Sequence, residues 1–419
     1  MVEIIRLKES NQRTLLKRSE TDIETVLPEV RKIVERVKRE GDSALFQLEK
    51  ELDKSSLKSL RVSDREIVEA YEKVGEKAVR TLRRIAKILE KFHQKMLPRD
   101  WKDKSINGGV TGILVRPLEK VGLYVPGGRT GYPSTVLMSG IPAKVAGVEE
   151  LYICTPPKGG SVNPCVLVAA DIVGVDAVFK VGGAQAIAAM AYGTKTIPKV
   201  DKIVGPGNVY VQAAKRLVAG EVEIDFEAGP SEVMVIADDS ASAKLVALEL
   251  LAQAEHDINS SAILVTTSGK LAVEVKRILE ERMDSETVKL SFSRYSKIVL
   301  VSNLKKGMEF ANMYAPEHLV LMVKQPQKWL TEVKNAGEVF LGPYSAVATG
   351  DFVLGPSHVL PTGGKAKFRS GLTVFDFLKL IPYHQLSREG LKKISVLVQE
   401  MAGMEELPWH AKSVKERLS

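Results

Sequence analysis

Short apolar segments alternate with helical segments from about residue 122 onward, and this alternation constrains the fold more than any other feature. Strands that alternate with helices at this spacing form βαβ crossovers, which place the strands in a parallel sheet. The predicted strands are 122–125, 151–154, 177–181 and 202–204 in a first series, and 233–237, 262–266, 298–301, 319–323 and 339–341 in a second. The sequence therefore predicts an α/β protein with two successive incomplete Rossmann-like open parallel-sheet units.

The regions that flank the two series are predicted to be helical. Apolar residues recur every three or four positions over 67–96, which is typical of one amphipathic helix. A charged helical pattern returns over 387–419, and it indicates a cap or an arm that reaches another subunit. A chain of 419 residues is too long for one ordinary core. The predicted division is an N-terminal arm (1–20), a helical segment that joins the second α/β unit (21–121), the first Rossmann-like unit (122–231), the second unit (232–380) and a helical C-terminal tail (381–419).

Composition excludes several classes of protein. Apolar residues make up 44% of the chain and charged residues 27%, which is the balance of a folded globular protein. The net charge is +8, but the basic residues form no cluster with interspersed aromatics, so nucleic-acid binding is not expected. Cys154 and Cys165 lack CxxC spacing, which argues against a disulfide framework and fits a reducing compartment.

Targeting and membrane segments are also not expected. Met1 to Arg18 carries charges throughout and lacks an apolar stretch of the length that a secretion signal needs. The most apolar region, Val166 to Gly193, is interrupted by charged residues and cannot form a clean membrane span. These observations predict a cytoplasmic protein.

Glycine-rich turns follow several strands of the first series, at Gly127-Gly128, Gly182-Gly183 and Gly205-Pro206-Gly207. Ligands of open parallel sheets bind where the carboxyl ends of strands meet helix N-termini, and glycine permits close backbone approach. Each turn taken alone is better explained as a tight strand-to-helix connection. Tyr210 stands where a third glycine would complete the usual dinucleotide fingerprint, so that fingerprint is absent.

The histidines supply the candidates for chemistry. Gln253 and His256 lie three residues apart at the end of an apolar helix, so both side chains can reach one point, but taken alone this spacing favours a simple hydrogen-bonded pair. Glu317-His318 pairs an acid with an imidazole, which suits acid–base catalysis, but an exposed polar pair is equally plausible on local grounds. Asp351, His358 and His410 are further candidates, whereas His93 and His384 are expected to be structural or surface residues.

Six separate segments resemble the histidinol dehydrogenase family, and they occur in the family's order. The signature region is matched by IDFEAGPSE at 224–232, followed by QAEH at 253–256. The other matching segments are GLYVPGG at 122–128, GGAQAI at 182–187, GPGN at 205–208, APEH at 315–318 and HVLPT at 358–362. The resemblance covers nearly all of the chain beyond about residue 110.

This resemblance implies an enzyme that oxidises L-histidinol to L-histidine through L-histidinal with NAD, in the last steps of histidine biosynthesis. It implies one zinc ion per subunit, which binds the substrate, and a homodimer whose tail donates residues to the neighbouring subunit. The implied zinc ligands, which also contact substrate, are Gln253, His256, Asp351 and His410. The implied catalytic residues are Glu317 and His318, the further substrate contacts are Ser231, His358 and Glu405, and the NAD contacts are Tyr124, Gln185 and Asn208.

Three other functions compete with this one. A related zinc- and NAD-dependent dehydrogenase would act on another amino alcohol or diol, but the complete set of implied site residues argues against it. A zinc hydrolase would use Glu317 to activate a metal-bound water, which leaves Tyr124, Gln185 and Asn208 without a role. A non-catalytic nucleotide-binding scaffold is the third alternative.

Overall fold

The computed structural model describes residues 2–18, 22–104, 108–127, 131–226 and 229–419. Gly128, Glu227 and Ala228 of the quoted motifs lie outside these residues, as does the predicted boundary between residues 20 and 21.

The described strands form two parallel sheets and one antiparallel sheet. The first sheet has the order β6-β5-β4-β7-β8, the second sheet has the order β1-β11-β10-β9-β12-β13, and the antiparallel sheet has the order β14-β3-β2. The strands are β1 Ile4–Arg6, β2 Trp101–Asp103, β3 Gly109–Pro117, β4 Lys120–Tyr124, β5 Glu150–Cys154, β6 Ala177–Phe179, β7 Lys202–Val204, β8 Glu223–Ile224, β9 Glu232–Ala237, β10 Ser261–Thr266, β11 Lys297–Leu300, β12 His318–Met322, β13 Glu338–Leu341 and β14 Leu378–Leu386.

Helices connect the strands of both parallel sheets and cover the ends of the chain. A π-helical turn at Gly350–Leu354 continues the short helix α14. The helices are α1 Gln12–Leu15, α2 Leu27–Glu40, α3 Asp42–Glu51, α4 Asp64–Val74, α5 Glu76–Gln94, α6 Pro133–Ala146, α7 Pro164–Val173, α8 Gly183–Tyr192, α9 Val209–Val218, α10 Ala243–Ala254, α11 Gly269–Arg282, α12 Glu286–Arg294, α13 Leu304–Tyr314, α14 Val347–Thr349, α15 Arg388–Met404 and α16 Pro408–Glu416.

The two parallel sheets repeat one topology. Numbered within its own series, each sheet has the strand order 3-2-1-4-5, which is the Rossmann order without its sixth strand. In the second sheet, β1 from the N-terminal arm adds one parallel strand next to β11. The predicted fold class is confirmed. Because the two sheets share one strand order, the α/β unit is duplicated in its topology.

The N-terminal helices pack mainly on the first sheet's unit. Helix α2 lies against α8 and α9, while α4 and α5 lie against α7 and α6. Their apolar residues share two cores with the strands of the first sheet. The segment 21–121 was expected to join the second unit, but its helices α2, α4 and α5 have most of their contacts with the first, because their apolar faces complete the covering of the first sheet.

The helix predicted over 67–96 is two helices. Gly75 separates α4 from α5 and has φ +76°, a backbone conformation that favours glycine. A single apolar stripe persists across the break because both helices face the same core. The periodicity alone therefore did not reveal the end of the first helix.

The C-terminal tail begins with a strand. Residues 378–386 pair with β3 over nine positions, so the tail is helical only from Arg388. Strand β14 was not predicted, because both of its faces are largely exposed and its sequence shows no apolar alternation. No helix in the described parts of the chain has the length and apolarity needed to cross a bilayer.

Candidate active site

The amino ends of β9, β12 and β13 bring several carboxylates and an imidazole together. Glu232, His318 and Glu338 are the first residues of these strands, and His318 pairs in register with both Val233 and Glu338. Helix α10 runs back across the sheet, so Gln253 at its C-terminal end reaches the same edge. Ligands were expected at the carboxyl ends of the strands; in the second sheet the cluster lies at the opposite edge.

The edge is enclosed by the first unit and by the segment that follows β13. His358 Nε2 lies 3.1 Å from Thr135 Oγ1 on α6, and the backbone N–H of Gly229 donates to Thr362 Oγ1. Thr135 and Thr362 are each 2% exposed. The two units therefore close over the amino ends of the second sheet, which removes this edge from water.

Glu317 and His318 are both buried, with 5% and 4% of their surfaces exposed. Glu317 Oε2 accepts from the backbone N–H of Glu232 at 2.8 Å and lies 3.6 Å from His318 Nδ1. The exposed polar pair that local sequence allowed is therefore excluded. Close packing sets this position, because a Cβ on Gly337 would lie 2.5 Å from the Glu317 carbonyl oxygen.

The hydrogen bonds of His318 assign its two ring nitrogens different roles. Nδ1 lies 3.0 Å from the backbone carbonyl of Glu232, which can only accept, so Nδ1 is the donor. Nε2 has no hydrogen-bond partner in the described structure and lies 3.4 Å from Asp351 Oδ1. In the neutral ring, Nε2 then carries the free lone pair, which is the arrangement that a general base requires.

Asp351 lies on the π-helical turn, a distortion found frequently at functional sites. Its backbone carbonyl accepts from His358 Nδ1 at 2.9 Å, so the turn also orients that imidazole. Burial raises the pKa of Asp351, but its contact with His318 and the nearby His358 and His256 lower the pKa more strongly. Asp351 is therefore held as a carboxylate among imidazoles.

Burial raises the pKa of Glu317 to about 8. Burial lowers the pKa of His318, but the carboxylates of Glu317 and Asp351 outweigh it and raise the pKa to about 9. Both groups thus titrate on the alkaline side of neutrality, and each becomes a free base as the pH rises through its pKa. Burial lowers the pKa of His358, which favours its neutral form.

Sequence reasoning did not find Glu249 and Glu338 as members of this cluster. Glu338 Oε2 is buried without a hydrogen-bond partner in the described structure, and burial raises the pKa of this residue to about 7. Burial also raises the pKa of Glu249, which interacts with His318 and Asp351. A carboxylate on the apolar helix α10, four residues before Gln253, was the available signal for Glu249.

The donors at this edge fit a metal ion only in part within one chain. Gln253 is 4% exposed, and its amide nitrogen has no partner among the described residues. His256 lies close enough to interact with Asp351. Among the described residues, no three His, Cys, Asp or Glu side chains form a metal-binding group. An amide, an imidazole and a carboxylate are therefore near one another, and a further ligand is needed for a closed site.

The structure does not bring the two tail candidates to this cluster within one chain. Glu405 and His410 are exposed, and α16 packs mainly against α15. Ser231 is half-buried directly before Glu232. Several large apolar side chains of the tail are exposed, namely Val396, Leu397, Met401, Met404, Leu407 and Trp409.

The three candidate cofactor contacts lie at the carboxyl edge of the first sheet. Tyr124 ends β4, and its hydroxyl accepts from the backbone N–H of Gly183 at 3.1 Å. Asn208 is exposed and caps α9 through its side-chain oxygen, which accepts from the backbone N–H groups of Tyr210 and Val211 at 3.1 Å each. Its amide nitrogen remains available to a ligand.

Gln185 is buried beside two acids that sequence reasoning missed. Its amide nitrogen donates to Glu49 Oε1 at 2.9 Å and to Asp53 Oδ2 at 3.3 Å, and Glu49 Oε1 also accepts from the backbone N–H of Gly182 at 3.0 Å. Glu49 thus covers the N-terminus of α8, where a carboxylate is favoured. The signal was a glutamate on the buried stripe of α3, next to Leu45 and Leu48.

Glu49 makes folding stability depend on pH. Burial, with the adjacent Asp53 carboxylate, raises the pKa of Glu49 from 4.5 to about 7. Between these pH values the folded chain holds a proton that the unfolded chain has lost, so stability falls as pH rises through this window and then levels off. Glu49→Gln mimics the protonated acid, so it is expected to remove this decline in the free energy of unfolding, which is on the order of 3 kcal/mol.

The measurement is the free energy of unfolding by denaturant between pH 5 and 8, compared between wild type and Glu49→Gln. The matched control is Glu51→Gln, because Glu51 is an exposed acid on the same helix. If the free energies of unfolding of the wild type and Glu49→Gln change in parallel with pH, Glu49 is charged in the folded state throughout this range.

Two Rossmann-like sheets with a buried acid–imidazole pair between them define an α/β enzyme. The model of the family "Histidinol dehydrogenase" matches residues 16–418. The chain is 48% identical to the histidinol dehydrogenase of Methanocaldococcus jannaschii, over 99% of this chain and 98% of that protein. It is 47% identical to that of Archaeoglobus fulgidus, over 100% and 99% of the two chains.

A solved structure shows the same fold over the whole chain. The histidinol dehydrogenase from Elizabethkingia anophelis superimposes with a TM-score of 0.96 at 36% identity, covering 100% of this chain and 98% of that one. The chain therefore belongs to the histidinol dehydrogenase family, and the resemblance found in its sequence segments is confirmed.

Proposed function

We propose that the protein is an L-histidinol dehydrogenase, which oxidises L-histidinol to L-histidine through L-histidinal with NAD, in the last steps of histidine biosynthesis. The observation that carries the proposal is the buried Glu317–His318 pair, whose free Nε2 faces Asp351 in a site closed by both units. Family membership supplies the substrate, since the matched relatives are histidinol dehydrogenases.

His318 acts as the general base of the alcohol oxidation. Its Nδ1–H is held by the Glu232 carbonyl, so Nε2 takes the hydroxyl proton of the substrate while the carbinol carbon loses a hydride. A zinc ion would bind the imidazole and amino nitrogens of the substrate, and NAD would accept the hydride. Removal of these two hydrogens yields the aldehyde.

Glu317 acts in the second oxidation. An aldehyde has no hydroxyl to oxidise until water adds to its carbonyl, and the Glu317 carboxylate, which forms as the pH rises through about 8, can take a proton from that water. His318 then removes the hydroxyl proton of the hydrate as a second hydride leaves, which gives the carboxylic acid. Ser231, His358 and Glu405 contact the substrate in this proposal.

The metal ligands in this proposal are Gln253, His256, Asp351 and His410. The first three come from the second unit of one subunit, and His410 comes from the tail of the other. The exposed apolar side chains of α15 and α16 support a homodimer in which the tail is covered by its partner. A cytoplasmic location follows from the biosynthetic role.

Tyr124, Gln185 and Asn208 contact NAD in this proposal. All three lie at the carboxyl edge of the first sheet, where dinucleotides bind in open α/β folds. Residues 122–231 then form the cofactor unit, and residues 232–380 form the unit for metal and catalysis.

The test is reduction of NAD by the purified protein with L-histidinol, followed by absorbance of NADH and combined with metal analysis. We expect NADH and L-histidine in a ratio of about two to one, since each oxidation removes one hydride. Simple diols and other amino alcohols serve as the comparison substrates. Faster turnover of one of these would assign the protein to a related dehydrogenase, and activity without NAD would indicate a hydrolase.

A further inference from the structure

A buried ion pair joins the N-terminal arm to the start of β9. Arg18 Nη1 lies 2.8 and 2.9 Å from the two carboxylate oxygens of Glu232, and the side chains are 12% and 3% exposed. Arg18 Nη2 also donates to the carbonyl of Tyr314, and the guanidinium stacks 3.8 Å above the Tyr314 ring. Arg18 is therefore fixed by three separate contacts.

The backbone of Glu232 contacts both members of the catalytic pair. Its N–H donates to Glu317 Oε2 at 2.8 Å, and its carbonyl accepts from His318 Nδ1 at 3.0 Å. One residue thus fixes the direction of the Glu317 carboxylate and the tautomer of His318. Any displacement of Glu232 is transmitted to both groups.

The side chain of Glu232 is held by Arg18 and by backbone groups of Glu317 and Gly363, and Arg18 acts on it most strongly. A buried carboxylate without a cation or enough donors costs several kcal/mol, and it relieves this cost by moving or by taking a proton. The negative charges of Glu232 and Asp351 lie near the Glu317 carboxylate and repel it. Arg18 counters the charge of Glu232 at this crowded edge.

We propose that Arg18 and Glu232 are positioning residues for Glu317 and His318, so that the N-terminal arm takes part in setting the catalytic geometry. Arg18 anchors the side chain of Glu232, and the backbone of Glu232 holds the two catalytic side chains. The inference rests on the proposed function, because the positions of Glu317 and His318 affect turnover only if they perform the acid–base steps.

The test uses the full-length protein with the variants Arg18→Met, Arg18→Lys and Glu232→Gln. Arg13→Met is the matched control, since Arg13 is an exposed arginine of the same arm. We expect Arg18→Met to lower kcat for histidinol by about 10- to 100-fold, because displacements near 1 Å have effects of this size. KM and metal content should change less than about threefold, because Arg18 contacts none of the proposed ligands.

The conservative variants separate positioning from simple loss of stability. Lysine keeps the charge but has one nitrogen in place of the two that contact Glu232 and the Tyr314 carbonyl, and it cannot stack on the Tyr314 ring, so Arg18→Lys should recover only part of kcat. Glu232→Gln keeps the backbone contacts and a side-chain oxygen that accepts from Arg18, but it leaves the Arg18 charge unpaired, so it should lower kcat by less than Arg18→Met does. If Arg18→Met does not fold, these two variants carry the test.

A spectroscopic measurement completes the design. In protein with ¹⁵N-labelled histidine, the Nδ1–H signal of His318, assigned by its absence in His318→Asn, should shift or exchange faster in Arg18→Met. An unchanged kcat and Nδ1–H signal, with only a lower Tm, would reduce Arg18 to a structural residue and overturn the inference. Absence of histidinol oxidation in the wild type would instead overturn the proposed function.

Discussion

Replacement of His318 by asparagine is expected to lower turnover of L-histidinol by about 100-fold or more, the scale of a lost general base. The asparagine amide can still donate to the Glu232 carbonyl in place of Nδ1, but it has no counterpart of the free Nε2. Bound zinc should remain, because His318 is not one of the proposed ligands. The measurements are steady-state kinetics and metal content on the same preparation.

His384→Asn is the control for this variant, since His384 is an exposed histidine on β14. It should leave both kcat and metal content within about twofold of the wild type, as surface substitutions generally do. Loss of zinc from His318→Asn would show that His318 is a ligand, and it would contradict the division between ligands and base.

Replacement of His410 by asparagine is expected to remove bound metal and abolish activity without unfolding the chain. His410 is exposed within the chain, so the substitution leaves no cavity and no buried polar group unpaired. Thermal unfolding in the presence of a chelator, which removes the contribution of bound metal, should match that of the wild type. Metal analysis and activity are measured on the same samples.

Mixing inactive variants tests whether the site is shared between subunits. In a dimer of one His410→Asn and one His318→Asn subunit, a shared arrangement leaves one site with both histidines intact. Random reassortment of equal amounts should then restore about a quarter of wild-type activity, because half of the dimers are mixed and half of their sites are complete. No recovery, with exchange of subunits verified, would place His410 in the site of its own subunit or outside any site.

Local pattern identified the strands of both parallel sheets to within a few residues, except for the short strands β1 and β8, which were not predicted. Strands that are buried on both faces appear as continuous apolar runs, so β9 and β10 were visible as 233–237 and 262–266. The predictions of secondary structure failed where an element has no distinct local pattern of apolar residues. The break at Gly75 interrupted a stripe that continued on the next helix, and β14 is exposed on both faces.

The residues of the candidate site were likewise predicted only in part. The sequence indicated Glu317-His318 as a possible acid–base pair, and the family resemblance marked Gln253, His256 and Asp351. Neither indicated Arg18, which reaches Glu232 across 214 residues of chain. An arginine in a charged N-terminal segment has the same local pattern whether it faces water or a buried carboxylate.

The sequence by itself determined the alternation of the main strands and helices, the repeated α/β series and the family, because these depend on side-chain periodicity and on residue identity at fixed spacing. Only the tertiary structure decided that the Glu317–His318 pair is buried and that it lies at the amino edge of the second sheet. It also decided that the N-terminal helices cover the first sheet and that Arg18 contacts Glu232, whose backbone contacts the pair. These properties arise from contacts between distant segments, whose energies depend on burial and distance in the folded chain and leave no periodic pattern in the sequence.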